Sequence, residues 1–262
     1  MSEQYVLETR NLVKEFKGFV AVDDVNLKVQ EGHIHALIGP NGAGKTTVFN
    51  LLTKFLIPTR GQILFKGEDI TPMKSAAIAR KGVVRSFQIS AVFPHMTALE
   101  NIRVALQSFE GTSYRFWKSG QSLNKLNARC MELLDSVGLA EFANTTTVEL
   151  AYGRKRALEL ATTLAMEPQL LLLDEPTQGM GSEDVDQVVE LVRKAAKGRT
   201  VLMVEHNLSV VSKLCDRITV LAQGAVLTEG DYSEVSDDPR VREVYMGSAS
   251  TSTTRKQQEP AQ

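Results

Sequence analysis

The stretch Gly39-Pro40-Asn41-Gly42-Ala43-Gly44-Lys45-Thr46-Thr47 decides the reading of this chain. It fits G-x-x-x-x-G-K-S/T, with Gly39, Gly44, Lys45 and Thr46 in the fixed places. The apolar run His33-Ile34-His35-Ala36-Leu37-Ile38 precedes it and reads as a strand. Val48, Leu51, Leu52, Phe55 and Leu56 follow at the spacing of one helix face, which predicts a helix to about Leu56. Strand, glycine loop and helix form the context of a phosphate-binding loop. Glycines let backbone N–H groups turn inward and approach a phosphate closely. The helix start adds N–H donors and the positive end of a dipole. Lys45 is placed to reach the β and γ phosphates, and the Thr46 hydroxyl to ligate Mg²⁺. The expected ligand is a nucleoside triphosphate.

Bulk properties set the frame. A chain of 262 residues with 43% hydrophobic and 23% charged content is long enough for one large α/β domain. A net charge of −1 gives no reason to expect a nucleic-acid partner. Cys130 and Cys215 stand far apart with no metal-ligand spacing, and read as small buried hydrophobes in a reducing compartment. No apolar run approaches the length of a membrane span, and Met1-Ser2-Glu3-Gln4 lacks the shape of a signal peptide. The expectation is a cytoplasmic chain that reaches a membrane only through a partner.

Along the chain, residues 5–29 read as β, with Val25, Leu27 and Val29 alternating. Strands are predicted at 62–66 and 83–87, the second ending at Gln88, and a short helix at 75–81. From 89 to about 165 the pattern turns helical (97–107 and 123–137), with a Gly-, Ser- and aromatic-rich loop over 110–121. Strand and helix then alternate through 170–173, 182–196, 200–204 and 207–214. A hairpin follows around Gly224. The expected fold is α/β: a mostly parallel core over 1–88 and 166–247, an N-terminal antiparallel part, and an inserted helical subdomain over about 89–165. Residues 248–262 read as a disordered tail. No internal repeat is present, so the chain carries one nucleotide-binding unit.

Leu170-Leu171-Leu172-Leu173-Asp174-Glu175 sets four aliphatic residues before two carboxylates. Such a run suits a strand buried on both faces, with the acids emerging where α/β sheets bind ligands. Asp174 would hold Mg²⁺ through water, as the partner acid of a phosphate loop does. Glu175 would face the attacking water as general base.

Three further pieces complete a pattern: Leu150-Ala151-Tyr152-Gly153-Arg154-Lys155-Arg156 opening a helix, Gln88 at a strand end, and His206 after the strand 201–204. Together with the phosphate motifs they resemble the ATP-binding subunits of ABC transporters over about residues 5–247. The stretches Arg85-Ser86-Phe87-Gln88, Thr97-Ala98-Leu99-Glu100-Asn101-Ile102, Leu150-Ala151-Tyr152-Gly153 and Val204-Glu205-His206-Asn207 resemble the subunits that power branched-chain (hydrophobic) amino acid uptake most closely. The resemblance implies that Phe16 stacks on adenine beside Val22. It implies that Gln88 contacts Mg²⁺ or the attacking water, and that His206 bonds the γ-phosphate. It also implies that Ala151 and Gly153 meet the nucleotide held by another subunit, so that one chain carries two half-sites. The family's commonest signature has Ser and Gln where this chain has Ala151 and Arg154, which removes a hydroxyl contact. Gly181 stands where many relatives carry Asp, leaving backbone contacts there.

By the same resemblance the chain is a Mg²⁺-dependent ATPase on the cytoplasmic face of the inner membrane. Its partners are two polytopic permease subunits, a second ATPase subunit (a copy or a sister chain) and, indirectly, a periplasmic substrate-binding protein. The transported solute is not touched by this subunit. A urea or amide importer, a lipid or polysaccharide exporter, and a non-transport ABC ATPase stand as alternatives. The loop Tyr114–Lys118, with aromatic and basic residues interleaved, is either a membrane-partner contact or local packing.

Overall fold

A computed structural model of the chain describes residues 4–86, 92–109 and 120–245. Gln88, the loop Tyr114–Lys118 and the tail 248–262 lie outside the described residues. The chain divides into two compact units, Met1–Met73 with Leu202–Gln262, and Lys74–Val201.

The first unit begins with β1 (Tyr5–Phe16), β2 (Phe19–Val25) and β3 (Lys28–Gln30). Then come β4 (Ile34–Ile38), α1 (Lys45–Leu52), β5 (Arg60–Phe65) and β6 (Glu68–Asp69). β1 is the antiparallel partner of β2, β3 and β5. Every residue of β4 is buried, as a strand covered on both faces requires. α1 is shorter than the sequence predicts. Lys54 adopts φ 60, a left-handed conformation that stops a helix, and Phe55 is 58% exposed instead of joining the buried face.

The second unit holds α2 (Ser75–Arg80), β7 (Val83–Ser86), α3 (Ala98–Phe109) and α4 (Gly120–Ser136). It continues with α5 (Tyr152–Leu164), β8 (Leu170–Asp174) and α6 (Ser182–Ala196). β7 and β8 pair in parallel. The buried face of α5 is Ala157, Leu158, Leu160, Ala161 and Leu164, and that of α6 is Val185, Val188, Val189, Val192 and Ala195. Both follow the 3.6-residue period.

Asn101 is the polar node of the helical stretch. Its side chain accepts from the Phe93 N–H at 2.6 Å and donates to the Phe93 and Thr97 carbonyls and to Thr147 Oγ1, at 3.0–3.1 Å. Thr97 and Glu100 close the start of α3 reciprocally, Thr97 N–H donating to Glu100 Oε2 and Glu100 N–H to Thr97 Oγ1. The run Thr97–Ile102 therefore has a structural reason for its polar residues.

β9 (Thr200–Val204) carries the chain back into the first unit, where α7 (Leu208–Leu214), β10 (Arg217–Ala222), β11 (Ala225–Gly230) and α8 (Tyr232–Asp237) follow. β10 runs parallel to β4 and antiparallel to β11. The expected α/β class, with an antiparallel N-terminal part and a sheet containing parallel strands, is what the chain adopts. Cys130 is buried as expected; Cys215 is only half-buried as a residue, but its thiol faces Met203 Sδ at 3.8 Å and burial pushes its pKa up to about 12.

β4 carries one costly group. His35 is fully buried, its Nε2 2.7 Å from Thr219 Oγ1 on β10. That hydroxyl donates to Glu229 Oε2 at 2.7 Å, so Nε2–H must donate to Thr219 and Nδ1 carries the lone pair. Nδ1 is buried without a partner. Burial, the largest cause, lowers the His35 pKa to about 4; Glu229 opposes this, while Arg217 and His33 reinforce it. A histidine free in the unfolded chain takes up its proton near pH 6.5, so the unfolded state is favoured as pH falls from there to about 4 and no further below. We expect about 3 kcal/mol of pH-dependent stability across that window. Urea denaturation as a function of pH should lose this slope in His35→Gln; an unchanged slope would assign the effect to other groups.

Candidate functional site

The phosphate loop lies in the first unit, between β4 and α1. Three of its glycines take positive φ: Gly39 at 149°, Gly42 at 81° and Gly44 at 99°. A Cβ on Gly44 would stand 2.6 Å from the Ala21 carbonyl oxygen and 3.7 Å from Val22 Cγ2. A Cβ on Gly39 would collide with the Leu221 carbonyl oxygen. The loop is thus pressed between β2 and the β10–β11 hairpin. The hairpin turn holds both neighbours: Gly224 N–H donates to the Ala43 carbonyl (3.1 Å), and Asp23 N–H donates to the Gly224 carbonyl (2.8 Å). Sequence reading assigned the hairpin no task; its contact with the loop appears only in three dimensions.

Lys45 is buried at the start of α1, its Nζ donating to the Gly39 and Pro40 carbonyls at 2.7 and 3.0 Å. The ammonium therefore sits over the mouth of its own loop. Thr46 is exposed in the first turn, where helix N–H groups have no intrahelical acceptor. Phe16, 39% exposed, ends β1 with the Lys14 ammonium 4.9 Å from its ring centroid. Val22 is fully buried against Gly44. A further contact comes from the end of the described chain. Burial raises the Tyr245 pKa while the Gly39 backbone opposes the rise, which sets that ring against the first glycine of the loop.

His206 is exposed just beyond β9. Its backbone is held by Glu205, fully buried, whose Oε2 accepts from the His206 and Asn207 N–H groups at 2.9 and 3.0 Å. Asn207 in turn caps α7 through Ser209 N–H. Glu205 is thus a positioning residue that the sequence left as a spacer.

The acidic pair and the signature segment lie in the second unit. Asp174 ends β8 and is ion-paired to Arg85 of β7. Glu175 follows with φ 46, a left-handed conformation that costs a non-glycine residue about 1–3 kcal/mol and concentrates at functional positions. Among the described residues no three His, Cys, Asp or Glu side chains group for a metal ion. Mg²⁺ needs no such cluster: it takes one or two hard protein oxygens and completes its shell with phosphate and water, so an oxygen donor such as the Asp174 carboxylate fits its chemistry.

Ala151 caps α5 with no side-chain hydrogen bond, so the Tyr152 and Gly153 end presents backbone donors. The three basic residues near its start are each occupied. The Arg154 guanidinium stacks on Phe142 at 4.0 Å, Lys155 Nζ donates to the Val148 carbonyl (3.1 Å), and Arg156 pairs with Glu159 (2.8 Å). Tyr152 Oη donates to the Gln178 carbonyl at 3.2 Å, tying the signature to the loop after Glu175. Gly181 is the N-cap of α6.

A family model for ABC transporters matches residues 22–178. The chain belongs to the ATP-binding subunits of ABC transporters. A second model, for branched-chain amino acid ATP-binding cassette transporters, matches residues 225–250, which include the end of the hairpin and Tyr245. The chain is 41% identical over 252 residues to the high-affinity branched-chain amino acid transport ATP-binding protein BraF of Pseudomonas aeruginosa, covering 93% of this chain and 98% of the relative. It is 36% identical over 253 residues to LivG of Escherichia coli, covering 94% and 99%. It is also 35% identical over 248 residues to the lipopolysaccharide export ATP-binding protein LptB of Acidithiobacillus ferridurans, covering 94% and 98%. Among solved structures, it resembles an ATP-binding cassette in its ADP conformation (TM-score 0.81, 29% identity, 93% and 99% covered). It also resembles a dimeric cassette in a post-hydrolysis state bound to ADP and Pi (TM-score 0.71, 27% identity, 86% and 98% covered). This ABC cassette is a nucleotide-binding transport ATPase.

The packing around Gly44 makes a direct prediction. Gly44→Ala should distort the loop and lower ATP affinity by at least about tenfold, because both φ and the Ala21 contact oppose a side chain. Fluorescent nucleotide titration measures it; retained affinity would show that the loop adapts.

Proposed function

We propose that this ABC ATPase powers import of branched-chain or other hydrophobic amino acids. The observation that carries the reading is the glycine loop with Lys45 at the head of α1, in a chain whose relatives BraF and LivG are named for branched-chain amino acid transport. The match over residues 225–250 supports the same substrate class. In this reading the working domain runs over 1–247, with a helical subdomain over about 89–165. It works with two polytopic permease subunits, a second ATPase subunit and, through the permeases, a periplasmic binding protein. The dimeric cassettes among its structural relatives support the paired arrangement. No described helix is long and apolar enough to cross a membrane, which suits peripheral attachment at the cytoplasmic face.

The residues divide the work as follows. Phe16 and Val22 flank the adenine. Gly39 to Thr47 wrap the phosphates with backbone N–H groups, and Lys45 neutralises the β and γ oxygens. Thr46, Gln88 and Asp174 would hold Mg²⁺, which would supply charge neutralisation to the transferred phosphoryl group. Glu175 takes the proton of the attacking water, and His206 bonds the γ-phosphate. Ala151 and Gly153 present the α5 N-terminus to the nucleotide of the partner subunit. One closed site then needs the phosphate-loop half of one subunit and the α5 half of the other, so ATP binding draws the subunits together and hydrolysis releases them. The likeness to LptB supports a second reading, lipid export. Co-purification with two permeases and a periplasmic amino acid-binding protein favours import, and their absence favours export.

Glu175→Gln should retain ATP binding, lose about 10²–10⁴ in hydrolysis rate and accumulate a closed dimer. Equilibrium nucleotide binding, phosphate release and size-exclusion chromatography with ATP read these outcomes. Near-normal turnover would remove Glu175 as the base. Lys45→Ala should instead lose nucleotide affinity.

A further inference from the structure

Arg85 lies on β7 beside the strand that ends in Asp174. In the parallel register Arg85 stands opposite Leu172 and Ser86 opposite Leu173. Side chains alternate along a strand, so Arg85, Leu172 and Asp174 share one face of the β7–β8 pair. The guanidinium Nη2 of Arg85 meets Asp174 Oδ2 directly. The pair is nearly closed to solvent, with 10% of the Arg85 side chain and 2% of the Asp174 side chain exposed.

A carboxylate this buried is oriented by the partner it meets, here the Arg85 guanidinium. Lysine could not reproduce the planar, multi-donor head that arginine brings to such a pair. If Asp174 is the carboxylate that serves Mg²⁺, Arg85 and the metal address the same negative charge. A guanidinium and a divalent cation on one carboxylate repel, and burial limits screening of that repulsion.

We propose that Arg85 is a positioning residue that sets the metal affinity of the site. It holds the Asp174 carboxylate in place when no metal is bound, and it yields Oδ2 as metal arrives with nucleotide. The inference rests on the reading of Asp174 as the metal carboxylate. Its consequence is that metal without nucleotide competes poorly against the internal cation, so the acid becomes available to metal mainly when phosphate oxygens share the ion.

The test is Mn²⁺ binding to the full-length chain, followed by electron paramagnetic resonance with and without ADP, beside thermal unfolding of the metal-free protein. Arg85→Met should lower the metal-free melting temperature, because a buried carboxylate loses its partner. It should also tighten Mn²⁺ binding by about tenfold, most clearly without ADP. Arg85→Lys keeps a cation in a poorer geometry and should fall between Arg85→Met and the native chain on both measurements; it also serves if Arg85→Met does not fold. Unchanged or weaker Mn²⁺ affinity in a folded Arg85 variant overturns the proposal, since a merely structural ion pair would lower melting temperature alone. Asp174→Asn separates the two readings. Loss of Mn²⁺ binding keeps Asp174 as the metal carboxylate whatever Arg85 does. Retained binding removes that assignment and the proposal with it.

Discussion

The phosphate loop depends on a backbone path that only glycine follows. Gly39, Gly42 and Gly44 all take positive φ, and at two of them a side chain would strike a neighbouring carbonyl. The path is imposed from outside. β2 presses on Gly44, and the β10–β11 turn bonds Ala43 and reaches across to Asp23. A loop held this way is fixed before a phosphate arrives, which lowers the ordering cost of binding one. The same packing explains why Val22 is both a fully buried core residue and a neighbour of the nucleotide loop.

Buried charged and polar side chains do the second part of the positioning. Glu205 spends its carboxylate on the backbone of His206 and Asn207, Asn101 ties the loop before α3 to Thr147, and Arg85 meets Asp174. Glu205 and Asn101 are buried with hydrogen-bond partners, as groups of this kind must be, and Arg85 is largely buried against Asp174. A buried polar group with few satisfying geometries holds its neighbours more narrowly than apolar packing does. Glu205 and Arg85 hold His206 and Asp174, two of the residues singled out in the sequence, while Asn101 holds the start of α3.

The signature segment shows how a local conflict is resolved. Arg154, Lys155 and Arg156 put positive charge at a helix start, against the dipole. Stacking on Phe142, a carbonyl and Glu159 draw the three charged heads to specific partners, while the uncapped α5 terminus keeps its backbone donors. Ala151 at the start of α5 and Gly181 at the start of α6 both leave the helix N-terminus without a side-chain cap.

The sequence alone determined the phosphate loop, the acid pair after four leucines, and the α/β alternation, because each is a local pattern. Glycine spacing dictates a backbone path, apolar runs dictate buried strands, and a 3.6-residue period dictates a helix face. It misjudged the end of α1, since nothing local marks Lys54 as left-handed. Only the tertiary structure decided what supports those motifs: the hairpin turn on Ala43, Tyr245 beside Gly39, Tyr152 on Gln178, and Arg85 on Asp174. These join residues from 26 to more than 200 positions apart in the chain. Their pairing is set by strand register and close packing, which no window of sequence contains.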